Sequence, residues 1–139
     1  MHMLKWWIFL FVPLFVACTS REPVNYEDLD IQYVHDIPKF EQNGAPFTGI
    51  AVEQMSDTKL EHHITTGYEE KLLGYYLDGT LEREFNFTQG KKNGKCTMWR
   101  EDGTLSLEEL YVDGDLHGES IRYNEDGSVA ERKSWVHGI

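Results

Sequence analysis

The sequence is poor in cysteine and in proline. It has two cysteines, Cys18 and Cys96, among 139 residues, which is too few for a disulfide framework or for a zinc site built from thiolates. Three of the four prolines fall between residues 19 and 46. That segment is therefore interpreted as a tether followed by an N-terminal cap, in which "IQYV" is a candidate short strand.

Motifs of catalysis are absent. Cys96 has no patterned His or Asn partner. The nucleophile motif G-x-S-x-G does not occur. The serines checked for it are Ser106, Ser120, Ser128 and Ser134. Adjacent carboxylates such as Glu108 and Glu109 are expected when 24 residues are acidic, so they indicate a solvated face. We predict no enzymatic activity, no catalytic residue, no cofactor and no small-molecule substrate.

The histidines do not form a metal-binding pattern. His62 and His63 are adjacent, so on a strand their side chains point to opposite faces. His117 and His137 fall in polar segments after predicted strands, where an exposed side chain is the ordinary expectation. We predict no metal site.

Basic residues are scarce. The chain has 13 Lys and Arg against 24 Asp and Glu, a formal net charge of −11. Phosphate binding depends on concentrated basic residues, so nucleic acid is excluded as a partner. The same repulsion argues against adhesion to anionic lipid surfaces, whereas a basic protein is electrostatically favoured.

Long apolar runs are limited to one, at the start of the chain. Trp6 to Val16 is an unbroken apolar run of eleven residues that follows Lys5. It is shorter than the roughly 20 residues of a spanning helix but fits the apolar region of a secretory signal. The run ends in "FVAC", which resembles the lipobox of bacterial lipoproteins, with Phe15 where Leu is usual. An uncleaved anchor and a plain signal peptide with an incidental cysteine are the alternatives.

The lipobox resemblance implies cleavage after residue 17 and acylation of Cys18, with several chains such as palmitate anchoring the protein. Removal of residues 1–17 would leave a net charge of −12, since only Lys5 is charged there. Thr19 and Ser20 replace the Asp that signals inner-membrane retention. The expected location is therefore the outer membrane of a Gram-negative bacterium. Acylation of Cys18 would also leave Cys96 without a disulfide partner.

What the chain does have is an internal repeat with a period of 24 residues. Glycines recur at 90, 114 and 138, and again at 94 and 118. Asp-Gly pairs end at Gly79, Gly103 and Gly127, and aromatic residues keep the same step. The two aromatic columns are Tyr75, Trp99 and Tyr123, and Phe87, Tyr111 and Trp135.

Each unit is typical of two antiparallel strands. Asp-Gly between alternating segments is a strong hairpin signal, because glycine takes the positive φ of primed turns. Before a turn, pairs such as Thr97 and Trp99 lie two residues apart and share a face. After the first turn, Leu81, Phe85 and Phe87 are expected to share one face in the same way. Stacked hairpins would bury the aromatic columns, which are predicted to be mainly core, in a quasi-one-dimensional array.

The domain organisation follows from these boundaries. Residues 1–17 are the predicted lipoprotein signal peptide, 18–45 the lipidated cysteine, tether and cap, and 46–139 the hairpin repeats. The repeats divide into a worn first copy near 46–67 and three clear copies near 68–90, 91–114 and 115–138. The fold class is all-β, an elongated, twisted, open antiparallel sheet.

The segments "PFTGIAVE" and "GYYLDGTLEREFNFTQGKKNGKCTMWREDGTLSLEELYVDGDLHGESIRYNEDGS" resemble the variant MORN repeats of YwqK-type proteins. The resemblance covers about residues 45–139 and implies an array of hairpins that binds and neutralises a partner protein as an antitoxin. It supplies no catalytic residue. The lipobox departs from the cytoplasmic pattern of such antitoxins.

These observations predict an envelope-anchored, protein-binding repeat module, antitoxin-like or immunity-like. The alternative is a self-associating scaffold of the envelope. The candidate partner-binding residues are aromatic side chains left half-exposed in a thin sheet, since interface hot spots favour Trp and Tyr. They are Trp99, Tyr111, Tyr123 and Trp135.

Overall fold

A computed structural model describes the backbone of residues 18–19 and 22–139, with side chains from residue 22 onward. The predicted signal peptide, residues 1–17, lies outside the described residues. The side chain of Cys18, and with it the predicted lipidation, lies outside them as well.

The described chain is almost entirely β, with one 3-10 turn at Tyr26–Asp28. The strands are β1 Cys18–Thr19, β2 Val24–Asn25, β3 Asp30–Val34, β4 Ile37–Gln42, β5 Ala45–Gln54, β6 Thr58–Thr65, β7 Tyr68–Tyr76, β8 Leu81–Thr88, β9 Lys91–Trp99, β10 Leu105–Val112, β11 Asp115–Leu116, β12 Gly118–Tyr123 and β13 Val129–Trp135. "IQYV" lies within β3.

The strands form one open sheet in the order β13-β12-β10-β9-β8-β7-β6-β5-β4-β3. All neighbouring strands along this path are antiparallel. They follow one another in the chain, except that the short strand β11 lies off the path and pairs with β10. The short strands β1 and β2 run parallel to β5. The all-β, open hairpin array predicted from the sequence is confirmed.

Primed turns occur along one long edge of the sheet. Two consecutive residues with positive φ, which a type I′ turn requires, are found along this edge at 43–44, 66–67, 89–90, 113–114 and 137–138, and once on the opposite edge, at 35–36. The N–H of Gly114 donates to the carbonyl of Lys92, and that of Gly138 donates to Leu116, both at 2.9 Å. These bonds join each turn to the preceding unit.

The Asp-Gly loops on the opposite edge are of a different type. The N–H of Gly79 donates to the carbonyl of Tyr76, and the N–H of Tyr76 donates to that of Thr80, both at 2.9 Å. Gly79 has φ 88° and Asp78 has no positive φ, which is a three-residue loop closed by a G1 bulge. The same pattern recurs at Gly103 and Gly127. The assignment of primed turns to Asp-Gly was therefore wrong, although the positive φ of these glycines agrees with it.

A second bulge follows each Asp-Gly loop and changes which side chains share a face. Tyr75 pairs with Leu81 but Gly74 pairs with Arg83, so Glu82 is the extra residue. The shifts in the next two hairpins fall 24 residues apart, at Ser106 and Ala130. The expectation that Leu81 shares a face with Phe85 and Phe87 was wrong, because the bulge turns it to the other side.

The register of the strands defines the two faces of the sheet. Cross-strand partners share a face, so the register places one row together: His62, Leu72, Phe85, Cys96 and Glu109. We call this side the capped face, because the ring of Tyr26 packs against His62 with centroids 4.4 Å apart. The other side, the open face, carries the row Glu61, Leu73, Glu84, Thr97, Glu108 and Ile121.

The buried core lies under the N-terminal segment. Phe40, Phe47, Ala51 and Ile64 are at most 2% exposed and pack with Leu29. Glycine is required at residue 49, since a Cβ there would lie 2.7 Å from the ring of Phe47. The aromatic columns of the repeats are all only partly buried. The expectation that they form the core was wrong, because the buried hydrophobic cluster lies where the N-terminal segment packs on β5 and β6, and no member of either column belongs to it.

The residues described by the structure include no helix long and apolar enough to cross a membrane.

Candidate functional site

An apolar stripe runs across the open face beside the Asp-Gly loops. Its members are three cross-strand pairs, one in each clear unit, that join an aromatic residue to an aliphatic one: Tyr75–Leu81, Trp99–Leu105 and Tyr123–Val129. All are partly exposed, and Val129 is 47% exposed. The stripe follows from the sequence, because residue types repeat every 24 positions while each unit contributes two strands.

Beside the stripe lies a row of glutamates paired with lysines. Lys59 binds Glu61 at 2.7 Å and Lys71 binds Glu84 at 2.8 Å. Glu108 pairs with Lys95 and also accepts a 2.7 Å hydrogen bond from the hydroxyl of Tyr123. Lys95 first, and then Tyr123, hold the pKa of Glu108 below its usual value. Charge is therefore nearly balanced within this row.

Exposed acid is also found at the loop edge. Asp78, Asp102 and Asp126 are exposed and each accepts the N–H of the residue two positions on at 2.8 to 2.9 Å. Hydrogen bonds from Thr80, Thr104 and Ser128 lower the pKa of the three carboxyls, so all stay charged at neutral pH. Glu101 and Glu125 are exposed beside them.

On the capped face, the aromatics of the repeats surround a lysine. Nζ of Lys92 lies 4.4 Å from the ring centroid of Phe85 and 4.8 Å from that of Tyr111, both within cation–π distance. The hydroxyl of Tyr111 donates to Glu109 at 2.9 Å. Burial, and then the bond to Glu109, raise the pKa of Tyr111 to about 12.

The four candidate partner-binding residues do not form one surface. Trp99 and Tyr123 belong to the open face through their pairs with Leu105 and Val129. Tyr111 and Trp135 pair with Gly94 and Gly118 and lie on the capped face. A partner that contacts one flat face can therefore reach two of the four.

A buried polar cluster under the cap was missed by the sequence analysis. Nδ1 of His62 lies 2.7 Å from Oε1 of Glu69, and its Nε2 lies 3.4 Å from Oε2 of Glu53. His62 and Glu69 are 7% and 8% exposed. The signal was present: Thr58, Leu60, His62 and Ile64 alternate on β6, which places the histidine on the apolar side.

His117 and His137 come together at the end of the array, with ring centroids 5.2 Å apart. Within residues 22–139, no group of three or more His, Cys, Asp and Glu is arranged to hold a metal ion. Cys96 is 3% exposed, and burial raises its thiol pKa. This cysteine is therefore poorly suited to nucleophilic chemistry.

Comparison of the chain with protein-family models, with curated proteins and with solved structures finds no match.

Proposed function

We propose that this protein is a non-enzymatic, protein-binding repeat module held at the cell envelope by acyl chains on Cys18. The observation that carries the proposal is the open face of β7–β13. It combines a stripe of partly exposed Tyr, Trp and aliphatic side chains with no covering layer among the described residues. Half-exposed aromatics of this kind are the side chains that dominate protein interfaces.

Charge indicates the chemistry of the partner. Glu101, Glu125 and the three loop aspartates lie along the edge that borders the stripe. A basic partner would be attracted to this edge and oriented on the open face. An antitoxin-like or immunity-like role, in which the module occupies a basic toxin, is the form of the proposal that the resemblance to YwqK-type proteins favours.

The anchor rests on the "FVAC" pattern and has its own test. We expect Cys18→Ala to abolish lipid labelling and release the protein from membranes, because the acyl chains supply the anchoring energy. The measurement is metabolic fatty-acid labelling followed by membrane fractionation, with Cys96→Ala as control. Persistence of the Cys18→Ala variant in the outer membrane would contradict lipid anchoring at this residue.

Self-association as an envelope scaffold is the second candidate, and one observation favours it. Among the described residues, β3 is paired only with β4, and its residues Ile31, Tyr33 and Val34 are 36%, 72% and 40% exposed. An exposed apolar edge of this kind can pair with another chain.

Affinity capture of the tagged lipoprotein from its own envelope, with sedimentation of the purified protein, separates the two candidates. A binding module sediments as a monomer and captures one dominant heterologous protein. A scaffold sediments as an oligomer and captures mainly itself, and that result would overturn the binding function.

A further inference from the structure

The spacing of the stripe on the open face selects the shape of its ligand. Neighbouring strands of a sheet lie about 4.7–4.9 Å apart, and each unit contributes two of them to this part of the sheet. Equivalent residues of successive units are therefore about 9.6 Å apart along the array. Tyr75 on β7, Trp99 on β9 and Tyr123 on β12 thus form a ladder of rings about 19 Å long.

Among the regular peptide conformations, polyproline II is the one whose single turn comes closest to this distance. A polyproline II helix has three residues per turn and rises about 3.1 Å per residue, which gives about 9.3 Å per turn. An α-helix has a pitch of about 5.4 Å, and a β-strand returns a side chain to the same face about every 6.6 Å. A polyproline II ligand laid along the stripe therefore presents one turn to each unit.

The chemistry of the stripe suits such a ligand. Proline-rich segments bind in grooves lined by aromatic side chains, and their preformed conformation lowers the entropic cost of binding. Each ring on the open face is paired with Leu81, Leu105 or Val129, so the space between successive rings has an apolar floor.

The loop edge adds a second requirement with the same period. Asp78, Asp102 and Asp126 each follow a ring of the stripe by three residues, and hydrogen bonds keep their pKa values low. One negative charge therefore recurs beside each ring. A ligand with Lys or Arg at every third position places one positive charge against each aspartate.

We propose that the open face binds a proline-rich, basic segment in the polyproline II conformation, with one turn of the ligand on each hairpin unit. The inference rests on the proposed binding function and names the chemistry of the partner and the face that it contacts.

Binding of synthetic peptides to the full chain in detergent, measured by calorimetry, tests this assignment. The probe is a peptide of repeated Pro-Pro-Lys triplets, and a Gly-Ser-Lys peptide of equal length and charge is the control. We expect the Gly-Ser-Lys peptide to bind at least about tenfold more weakly, because it is not preorganised. A third peptide with lysine at every fourth position should also bind more weakly, since its charges lose register with the aspartates.

Two tyrosine variants give a matched comparison. Tyr123 on the open face donates to Glu108 and Tyr111 on the capped face donates to Glu109, at 2.7 and 2.9 Å. We expect Tyr123→Ala to weaken binding of the Pro-Pro-Lys peptide about tenfold or more and Tyr111→Ala to leave it unchanged. Circular dichroism checks that both variants are folded.

Equal affinity for the Pro-Pro-Lys and Gly-Ser-Lys peptides, equal losses in the two tyrosine variants, or no binding of any peptide would overturn the inference. The proposed function has a separate readout. A heterologous protein captured from the envelope but not displaced by the Pro-Pro-Lys peptide would leave the binding function in place and refute this ligand. If cell-wall glycan displaces that protein and the Pro-Pro-Lys peptide does not, the proposed polyproline II ligand is refuted as well.

Discussion

Single residues decide where this chain turns. Three glycines in the Asp-Gly loops have φ between 78° and 88°, a region that costs an ordinary L-residue about 1–2 kcal/mol. A Cβ at Gly103 would have nothing within 4 Å. The backbone angle, and not lack of space, therefore requires glycine there.

We expect Gly103→Ala to lower the free energy of unfolding by about 1 kcal/mol and Gly103→Val by about 2 kcal/mol, because strain in this region rises with branching at Cβ. Gly103→Asn should cost less, since Asn tolerates positive φ. Chemical denaturation of the three variants measures the order. Equal stability of the Asn and Val variants would contradict the bulged-loop geometry.

Two adjacent histidines test the burial pattern of β6. His62→Ala removes the partner of buried Glu69 and the ring under Tyr26, so we expect a loss of about 3 kcal/mol. His63 points to the open face and is partly exposed, and His63→Ala should change stability by about 0.5 kcal/mol or less. Thermal melts compare the two, and losses of similar size would show that the cap does not depend on His62.

Among the elements, the hairpins show what sequence reasoning can and cannot reach. The period of 24 and the Asp-Gly pairs predicted the strands and their antiparallel order, since each turn joins two strands that are neighbours in the sequence. The bulges at Glu82 and its counterparts were not predicted, because an extra residue in a strand leaves no mark on a two-residue alternation. Without knowledge of the bulges the two aromatic columns could not be assigned to opposite faces, so residues of both faces were grouped as candidate partner-binding residues.

The Asp-Gly loops should make stability depend on acid. In the folded chain, hydrogen bonds from Thr104 lower the pKa of Asp102 from 3.8. The carboxylate therefore contributes to the free energy of unfolding above pH 3.8, and this contribution is lost as the pH falls through the lower pKa of the folded state. We expect stability to decrease below about pH 4 and Asp102→Asn to flatten that decrease. Chemical denaturation at a series of acidic pH values measures this dependence of stability on pH, and Asp57→Asn in the β5–β6 turn is the control. An unchanged pH profile in Asp102→Asn would contradict the loop bonds.

For the whole molecule, stability is concentrated at one end. The buried cluster of Phe40, Phe47, Ala51 and Ile64 lies at β4–β6, whereas every residue of β13 except Trp135 is exposed. The sequence instead predicted a core made of the aromatic columns of the repeats. Regular repeats specify pairing between neighbours, but the layer that buries the core comes from residues 22–42, which have no repeat pattern.

Two tryptophans report on this gradient. Trp99 lies on β9 with strands on both sides, whereas Trp135 ends the edge strand β13. We expect Trp135→Ala to leave the fold intact with a loss of about 1 kcal/mol, and Trp99→Ala to cost at least about 2 kcal/mol because it removes partly buried apolar area between two units. Melting curves of both variants measure the difference, and equal small losses would refute the stacked-hairpin packing.

The bonds between units also bear on how such a chain can change in evolution. The hydroxyl of Tyr76 donates to the carbonyl of Trp99, and the guanidinium of Arg100 donates to that of Tyr123, in each case 23 residues further along the chain. Because donor and acceptor keep the same offset, an in-frame duplication or loss of one unit leaves every remaining unit with a neighbour of matching geometry. Recombination between the repeats can therefore lengthen or shorten the array by one unit at a time. Each added or lost unit carries one ring of the stripe and one loop aspartate, and the fold stays the same.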